Sequence, residues 1–442
     1  MFVMDQKKKD KVDELVAGKK VRVIFVENTR QALSDIASRF YEGQPDHVAA
    51  VTGTSGKSST VWFVRQILEG LGYAGASLGT IGLHARGLFE KSALTTADPV
   101  SLHKTLSQLS EKQIDYLAME ASSIGVEQCR MDGVKIKVAA FTNFSHEHLD
   151  YHENMGEYFK AKQRLFTHCL DRNGVAVLNA DIPEYKKLSS ICDENGIDHI
   201  SYGIHASGLN TVKLVNRSIK DNGQNLVISL SGQKIEFSIP LIGSFQAQNI
   251  LCAIAIVCGL LDKNIDIENL VKTLPTMKTV PGRLERIDGH PQGASVYVDY
   301  AHKPDALEAV LKAVRPHTKG KLWVVFGCGG DRDRSKRSMM AKISYDLADE
   351  VIVTDDNPRN ENPADIRAEI TDGFPSLKNI GDRREAIDLA MSSLQMGDSL
   401  IIAGKGHESG QTIQAQTLPF DDRDEARQSI QSLVKTQKEN SA

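Results

Sequence analysis

His47-Val48-Ala49-Ala50-Val51-Thr52-Gly53-Thr54-Ser55-Gly56-Lys57-Ser58-Ser59 is the stretch on which the fold turns. Its first six residues are mostly apolar, the pattern of a strand buried on both faces. Two glycines open a turn, and the apolar periodicity that follows predicts a helix from Thr60 to about Leu71. Together these make a phosphate loop. The backbone N–H groups of Gly53, Thr54, Ser55 and Gly56 can face one anion, the helix start adds positive potential, and Lys57 can reach outer phosphates. Ser58 and Ser59 bring hydroxyls, and Ser58 is placed to bind Mg²⁺. The first glycine of the usual G-x-x-x-x-G-K pattern falls on Val51, so the loop is a shortened form. A plain glycine turn before a helix would leave the Lys57-Ser58 pair unexplained.

The same rhythm of apolar strand, glycine-rich or polar turn and amphipathic helix recurs at Tyr116–Met119, Val138–Thr142 and Val175–Leu178. It predicts an α/β protein with a mostly parallel sheet. Residues 201–240 differ. Val212–Val215, Asn225–Leu230 and Lys234–Ile239 alternate, with Asp221-Asn222-Gly223 and Ser231-Gly232 as turns, and read as an antiparallel insertion or sheet edge. Pro275 and Pro281-Gly282 mark a linker, after which strands at Ser295–Tyr300, Leu322–Phe326, Glu350–Thr354 and Ser399–Ala403 restart the pattern. The expected layout is a P-loop-containing central domain at 47–279 and a Rossmann-like α/β domain at 280–442. Residues 1–46 are too few for a domain, and read as a strand (Val21–Val26) and a helix (Thr29–Phe40) attached to the first one.

The chain has 442 residues, room for about three domains at about 150 residues each. Lysine and arginine number 53 against 57 acidic residues, a net charge of −4. That balance, with no basic aromatic stripe, predicts no nucleic-acid partner. A hydrophobic share of 41% and a charged share of 25% exclude disorder throughout. The longest apolar run, Ile250–Leu261, falls short of the roughly 20 residues that span a bilayer, so it reads as a buried helix. Met1–Lys20 is lysine-rich without an apolar signal core. Cys129, Cys169, Cys192, Cys252, Cys258 and Cys328 are scattered with no C-x-x-C pair, which fits reduced thiols better than disulfides or zinc. A cytoplasmic enzyme, monomeric and without a membrane partner, is the expectation.

Two further turns follow strand ends, where doubly wound sheets place ligands. Met119-Glu120-Ala121-Ser122-Ser123 offers Glu120 as a hard oxygen ligand for Mg²⁺, although a lone strand-end glutamate is more often a solvated surface group. Thr142-Asn143-Phe144-Ser145-His146-Glu147-His148-Leu149-Asp150-Tyr151-His152 carries three histidines in seven residues. Zinc is the rival reading there, but no cysteine lies near and the spacing is not H-E-x-x-H.

In this order the motifs resemble the Mur ligases of peptidoglycan synthesis, ATP-dependent amide-forming ligases that share a mechanism with folylpolyglutamate synthetase. The loop Gly53–Ser58, Glu120-Ala121-Ser122-Ser123, Thr142-Asn143, His148-Leu149-Asp150-Tyr151-His152, Pro281-Gly282-Arg283 and Asp299-Tyr300-Ala301-His302 look like successive family motifs, over about residues 21–430. Thr95-Thr96-Ala97-Asp98-Pro99 resembles the segment that contacts a UDP-N-acetylmuramoyl dipeptide, as do Ser122, Gln128 and Arg130. Asp356-Asn357-Pro358-Arg359 resembles the signature of members that choose meso-diaminopimelate over lysine, and the resemblance adds Arg332, Gly404 and Glu408 to that pocket. The distal carboxylate of diaminopimelate suits an arginine fork, and lysine would leave Arg359 unpaired. Glu408 would face the distal ammonium. Alone, Asp355-Asp356-Asn357-Pro358 is an ordinary turn and Gly404-Lys405-Gly406-His407-Glu408 a strand-end turn. Their joint occurrence in a restarted α/β domain favours the pocket.

The resemblance also implies that Asn249, at the head of the apolar helix, meets adenine, that Arg283 meets phosphates and Asp299 the ribose. ATP would then lie between the two large domains, with Pro281-Gly282 a hinge that closes on substrate. The lysine matching Lys162 is carbamylated in the family and holds a second Mg²⁺ with the histidine matching His148. By sequence alone Lys160 competes with it. A lone helical lysine is ordinarily solvated, and carbamylation needs the neutral amine, against a reference pKa of about 10.4. The implied reaction converts the D-glutamate side-chain carboxylate into an acyl phosphate, which the amine of diaminopimelate attacks. Two departures stand out. Family members carry a fuller N-terminal domain for the UDP group, so residues 1–46 are expected to be its remnant, and Ile124 stands where histidine is expected. The rival readings are a lysine-adding or folylpolyglutamate-type ligase, and an ATP-binding paralogue without catalysis.

Overall fold

Thr52 and Gly53 mark where a central strand ends and the phosphate loop begins in the computed structural model, which describes residues 2–208, 210–221, 223–262 and 264–439. The strand His47–Thr52 lies between Tyr116–Glu120 and Ile136–Phe141, parallel to both, with Val51 opposite Glu120 and Thr52 opposite Phe141. Val48 and Ala50 pack into a buried cluster with Leu102, Leu106, Leu117 and Phe159. Four residues from Val48 to Val51 have no exposed surface, which is why the segment is apolar throughout rather than alternating.

Among the described residues this strand belongs to an 11-stranded sheet. On one side, Gly75–Gly79 runs parallel to Tyr116–Glu120, and antiparallel Gly82–Ala85 and Leu88–Glu90 finish that edge. On the other, Leu170–Asn179 and Asp198–Gly203 continue in parallel. Thr211–Lys220, Gly223–Leu230 and Gln233–Ile239 then complete the sheet. The alternating segments are therefore the edge of the main sheet, not a separate insertion. Of the turn expected at Asp221-Asn222-Gly223, Asn222 lies outside the described residues.

Three local expectations shift. The helix after the loop starts at Lys57, not Thr60, and runs to Gly70. Gly56, at φ +84°, makes the sharp entry, and the first turn was invisible to apolar periodicity because Lys57, Ser58 and Ser59 are polar. The apolar helix spans Ser244–Leu260, so Asn249 sits inside it rather than at its head. The lysine-rich start contains a strand, Phe2–Asp5, parallel to Val23–Val26, and a helix at Lys9–Val16. Thr29–Phe40 is helical as its pattern predicts, capped by Asn28, whose Oδ1 accepts the N–H groups of Arg30 and Gln31 at 3.0 and 3.3 Å.

The chain divides into two compact units. The first comprises Met1–Arg217, Asn225–Ile239 and Ala247–Met277, and the second Ser218–Gln224, Pro240–Gln246 and Lys278–Ala442. The second unit holds a six-stranded sheet among its described residues. Ser295–Asp299, Ser399–Ala403, Leu322–Phe326 and Glu350–Val353 run parallel in that spatial order, and Glu285–Ile287 is antiparallel at the rim. Parallel strands send their following loops to one edge. The loops that begin at Tyr300, Gly404, Gly327 and Thr354 thus share an edge in the second unit. Those that begin at Gly53, Thr80, Ala121 and Thr142 do so in the first.

Candidate active site

In the first unit the phosphate loop is clamped by the neighbouring strand's loop. Thr54 N–H donates to the Asn143 carbonyl at 2.9 Å, and Ser55 N–H to Asn143 Oδ1 at 2.8 Å. In return Asn143 Nδ2 and Thr142 Oγ1 donate to the Ser55 carbonyl at 3.1 and 2.7 Å. A side chain on Gly53, at φ +141°, would collide with Thr142 Oγ1. On Gly56 it would come within 2.5 Å of Asn249 Oδ1, so Asn249 borders the loop although it lies inside its helix. Lys57 Nζ donates to the carbonyls of Gly53 and Thr54, at 2.9 and 2.8 Å.

Ser58 and Glu120, 62 positions apart, meet: Ser58 Oγ donates to Glu120 Oε1 at 2.9 Å. Thr80 N–H donates to the same oxygen at 2.8 Å and Thr80 Oγ1 to Oε2 at 3.2 Å. Glu120 is 1% exposed, so the solvated surface reading does not apply. A carboxylate and a hydroxyl beside a phosphate loop are the hard oxygen donors that suit Mg²⁺.

The segment around Thr95 joins this cluster. Thr95 Oγ1 lies 3.0 Å from Thr80 Oγ1, and Thr96 Oγ1 donates to the Glu120 carbonyl at 2.9 Å. Ser122 donates through N–H and Oγ to Thr96 Oγ1, at 3.0 and 3.1 Å. Arg130 Nη1 donates to the Thr96 carbonyl at 2.6 Å, and Arg130 Nη2 to Gln128 Oε1 at 2.8 Å. Thr95, Thr96, Ser122, Gln128 and Arg130 therefore form one connected group. Ile124 lies in the short helix Ser123–Glu127 beside it.

Lys162 and Lys160 separate cleanly. Lys160 has a 75% exposed side chain 3.7 Å from Glu157. Lys162 is 1% exposed; its Nζ donates to the Gly53 carbonyl at 2.8 Å and sits 4.4 Å from the Tyr158 ring centre. Burial, and then the Lys57 charge, hold its pKa well below the ordinary lysine value. His148 approaches the same Tyr158 ring, with 5.9 Å between ring centres, and adopts a left-handed backbone at φ +57°. His152 is buried and engaged elsewhere, 2.9 Å from Ser123 Oγ and 3.5 Å from Glu127.

In the second unit Asp299 accepts N–H groups from Leu284 and Ala301, at 2.7 and 2.8 Å. Burial raises its pKa to about 6, against the lowering pull of Arg283 and those two N–H groups. It thus holds the Pro281-Gly282-Arg283 turn. Gly282 is pinned inside this unit, where a side chain would strike the backbone of Gly406 and His407. The Arg283 guanidinium lies 4.7 Å from the Tyr300 ring centre.

The other loops of that edge build a polar wall. Asn357 Nδ2 donates to Glu408 Oε2 at 3.0 Å, while Lys405 Nζ donates to Asn357 Oδ1 at 3.0 Å and lies 3.3 Å from Glu408 Oε2. Asp356 and Pro358 are buried, and a side chain on Gly404, at φ +119°, would meet Asp356 Oδ2 at 2.7 Å. Arg359 Nη1 donates to the Gly330 carbonyl at 2.7 Å, which sets it against the loop that carries exposed Arg332.

Sequence reasoning passed over three members of this arrangement. Lys405 has no exposed surface, and its place between Gly404 and Glu408 was the available signal. Asn143 was visible as a motif but carried no role. Thr80 follows a strand with no charged or repeated neighbour to single it out.

Residues 51–257 match the Mur ligase middle domain, and residues 282–406 match the Mur ligase, glutamate ligase domain. The chain is 45% identical over 415 residues to the UDP-N-acetylmuramoyl-L-alanyl-D-glutamate–2,6-diaminopimelate ligase of Mesorhizobium japonicum, covering 94% of this chain and 84% of that protein. Identity to the protein of the same name from Chelativorans sp. is 45% over 410 residues, covering 93% of this chain and 84% of that one. A solved structure of a UDP-N-acetylmuramoyl-L-alanyl-D-glutamate–2,6-diaminopimelate ligase superposes with a TM-score of 0.73 at 30% identity, over 98% of this chain and 92% of that one. With both family domains matched in order, the first across the phosphate loop and the second across Asn357 and Lys405, the chain belongs to the Mur ligase family.

Proposed function

We infer that the chain is an ATP-dependent ligase that adds meso-diaminopimelate to UDP-N-acetylmuramoyl-L-alanyl-D-glutamate in peptidoglycan precursor synthesis. The observation that carries this reading is the Asn357–Glu408–Lys405 wall beside Arg359, in a chain 45% identical to a ligase named for that amino acid. The bare turn reading of residues 355–358 does not account for Asn357 held by both Lys405 and Glu408. The same reading places the reaction in the cytoplasm, carried out by a monomer. Among the described residues no helix is long and apolar enough to cross a membrane.

In this proposal the loop amides of Gly53 to Ser59 and the Lys57 ammonium receive the phosphates, and Asn249 borders the nucleotide. In the second unit, Arg283 is proposed for phosphate binding and Asp299 for the ribose, roles that rest on the family resemblance. Ser58 and Glu120 would hold Mg²⁺, which supplies positive charge to the phosphoryl group as charge develops. The acceptor carboxylate of D-glutamate is a weak electrophile until phosphorylated, so Thr95, Thr96, Ser122, Gln128 and Arg130 hold the UDP-linked dipeptide for attack on the γ-phosphorus. The C–O–P linkage forms as ADP leaves. The neutral diaminopimelate amine then attacks the acyl carbon, forming the C–N bond and losing a proton, as the C–O bond breaks and phosphate leaves with its electron pair. Arg332 and Arg359 would clamp the distal carboxylate and Glu408 the distal ammonium, so that the reacting amine is presented in one pose. Alignment of this kind supplies up to about 7–11 kcal/mol.

Lys162 is proposed as a carbamate. Its neutral Nζ would bond to the carbon of CO₂ and release a proton, turning a buried amine into an anion that could hold a second Mg²⁺ with His148. Burial favours the neutral amine that this step requires.

The test is phosphate release from ATP and Mg²⁺ with the UDP-linked dipeptide, with meso-diaminopimelate in one vessel and L-lysine in another. Release dependent on diaminopimelate is expected. Equal release with lysine would sink the amino-acid assignment. Bound ATP with no release from either amine would point instead to a non-catalytic paralogue.

A further inference from the structure

The loops that carry Arg332 and Arg359 are joined by groups outside the assigned pocket. Each contains a non-glycine residue in left-handed backbone: Asp331 at φ +52° and Arg359 itself at φ +51°. Such residues persist only where their surroundings over-determine them. Here the surroundings centre on Glu361. Its Oε1 accepts the Asp331 N–H at 2.6 Å. Both of its oxygens accept Arg337 Nη2, at 2.9 and 3.0 Å, and Oε2 also accepts Arg334 Nη2 at 2.9 Å. In the opposite direction, Asp331 Oδ2 accepts Asn360 Nδ2 at 2.8 Å and Asn360 N–H at 3.2 Å. Each loop therefore supplies a carboxylate that grips the backbone of the other.

Arg337 anchors this cross-brace to the fold. Its side chain is 1% exposed, and its second nitrogen, Nη1, donates to Glu369 at 2.6 Å. Arg337 lies in the helix Lys336–Leu347 and Glu369 in the helix Pro363–Thr371, so two helices fix the orientation of Glu361. A planar guanidinium with almost no exposed surface, bonded through Nη2 to Glu361 and through Nη1 to Glu369, holds such a geometry more tightly than a solvated pair. A two-arginine clamp on one carboxylate tolerates misplacement of only about 0.5 Å.

Resting on the function proposed above, we propose that Glu361 and Arg337 are positioning residues that set the separation of Arg332 and Arg359, and thereby the preference for an amino acid with a distal carboxylate. Neither residue touches substrate in this account. Lysine, which has no distal carboxylate, gains nothing from the brace, so its use as a substrate is insensitive to it.

The experiment uses the full chain with ATP, Mg²⁺ and the UDP-linked dipeptide, and measures kcat and KM for meso-diaminopimelate and L-lysine. Glu361→Gln keeps the shape but loses the charge that holds Arg337, and Arg337→Lys keeps the charge but loses the fork. For Glu361→Gln the KM for diaminopimelate is expected to rise at least tenfold. The diaminopimelate-to-lysine ratio of kcat/KM should fall at least tenfold, while KM for ATP stays within twofold. Arg337→Lys should fall between this variant and the parent, and it serves as the second probe if Glu361→Gln unfolds. An unchanged ratio in both variants overturns the brace, as does a parallel loss for every substrate that tracks the thermal midpoint. A parent chain with no diaminopimelate dependence overturns the functional reading itself, a result separate from the variant series.

Discussion

Lys57 and Lys162 donate to one acceptor: their Nζ atoms lie 2.9 and 2.8 Å from the carbonyl oxygen of Gly53. Burial first, and then the Lys57 ammonium on the same carbonyl, displace Lys162 toward the neutral amine. With ¹³C-labelled bicarbonate, the protein should show a carbamate carbon resonance that Lys162→Arg abolishes and Lys160→Arg preserves. Lys162→Arg should also lower kcat at least 100-fold. A resonance that survives in Lys162→Arg would rule out the assignment.

Glu120 holds Ser58 and Thr80 through a carboxylate with almost no exposed surface. Glu120→Gln retains a hydrogen-bond acceptor but removes the charge. The Mg²⁺ concentration at half-maximal phosphate release should rise at least tenfold, with KM for diaminopimelate unchanged. A Mg²⁺ titration that overlays the parent would remove Glu120 from the metal site.

Gly56 and Gly72 share a left-handed backbone, at φ +84° and +89°, but only Gly56 has a neighbour within 4 Å of an added Cβ. Alanine at either position should cost about 1–2 kcal/mol of backbone strain. Gly56→Ala should additionally push Asn249 aside and weaken ATP binding at least tenfold, whereas Gly72→Ala leaves binding intact. Equal ATP affinities by calorimetry would show that Asn249 has no part in the nucleotide site.

Asp299 titrates near 6 in the folded chain, above its ordinary 3.8, because burial penalises the anion. Its contribution to stability is complete below about 3.8 and is lost as pH rises through about 6, an effect of about 3 kcal/mol. In urea unfolding, the parent should gain stability relative to Asp299→Asn as pH falls from 7 to 5. At pH 7 the asparagine amide faces one of the two N–H donors, which costs about 1–3 kcal/mol. A parent-to-variant difference that does not change with pH would show that the buried carboxyl is not the titrating group.

What the sequence made legible was chemistry attached to strand ends. Lys57, Ser58 and Glu120 could be read because a glycine turn and an acidic residue after apolar strands have few structural explanations, and the fold does bring Ser58 and Glu120 together. Local pattern was less informative where the governing contact is distant in sequence. Thr80 acquires its role only through Glu120, and Lys405 only through Asn357, pairings that no periodicity announces. In the sequence only register with the family favours Lys162 over Lys160, since both are lysines on one helix, and it is burial that separates them physically. Asn249 was displaced from its expected helix head because Ser244 to Gln248, which precede the apolar run, are already helical.

The pairing of Thr52 with Phe141 reaches beyond the sheet. It delivers Thr142 and Asn143 to the phosphate loop, and a slip of one residue would turn every side chain of that strand to the opposite face. Such a chain could bury its core and retain its helices while leaving Ser55 without its clamp. Loss of competence on misfolding would then be all-or-none for each molecule. A refolded preparation would divide into fully active and inert molecules, and its specific activity would count correctly registered strands.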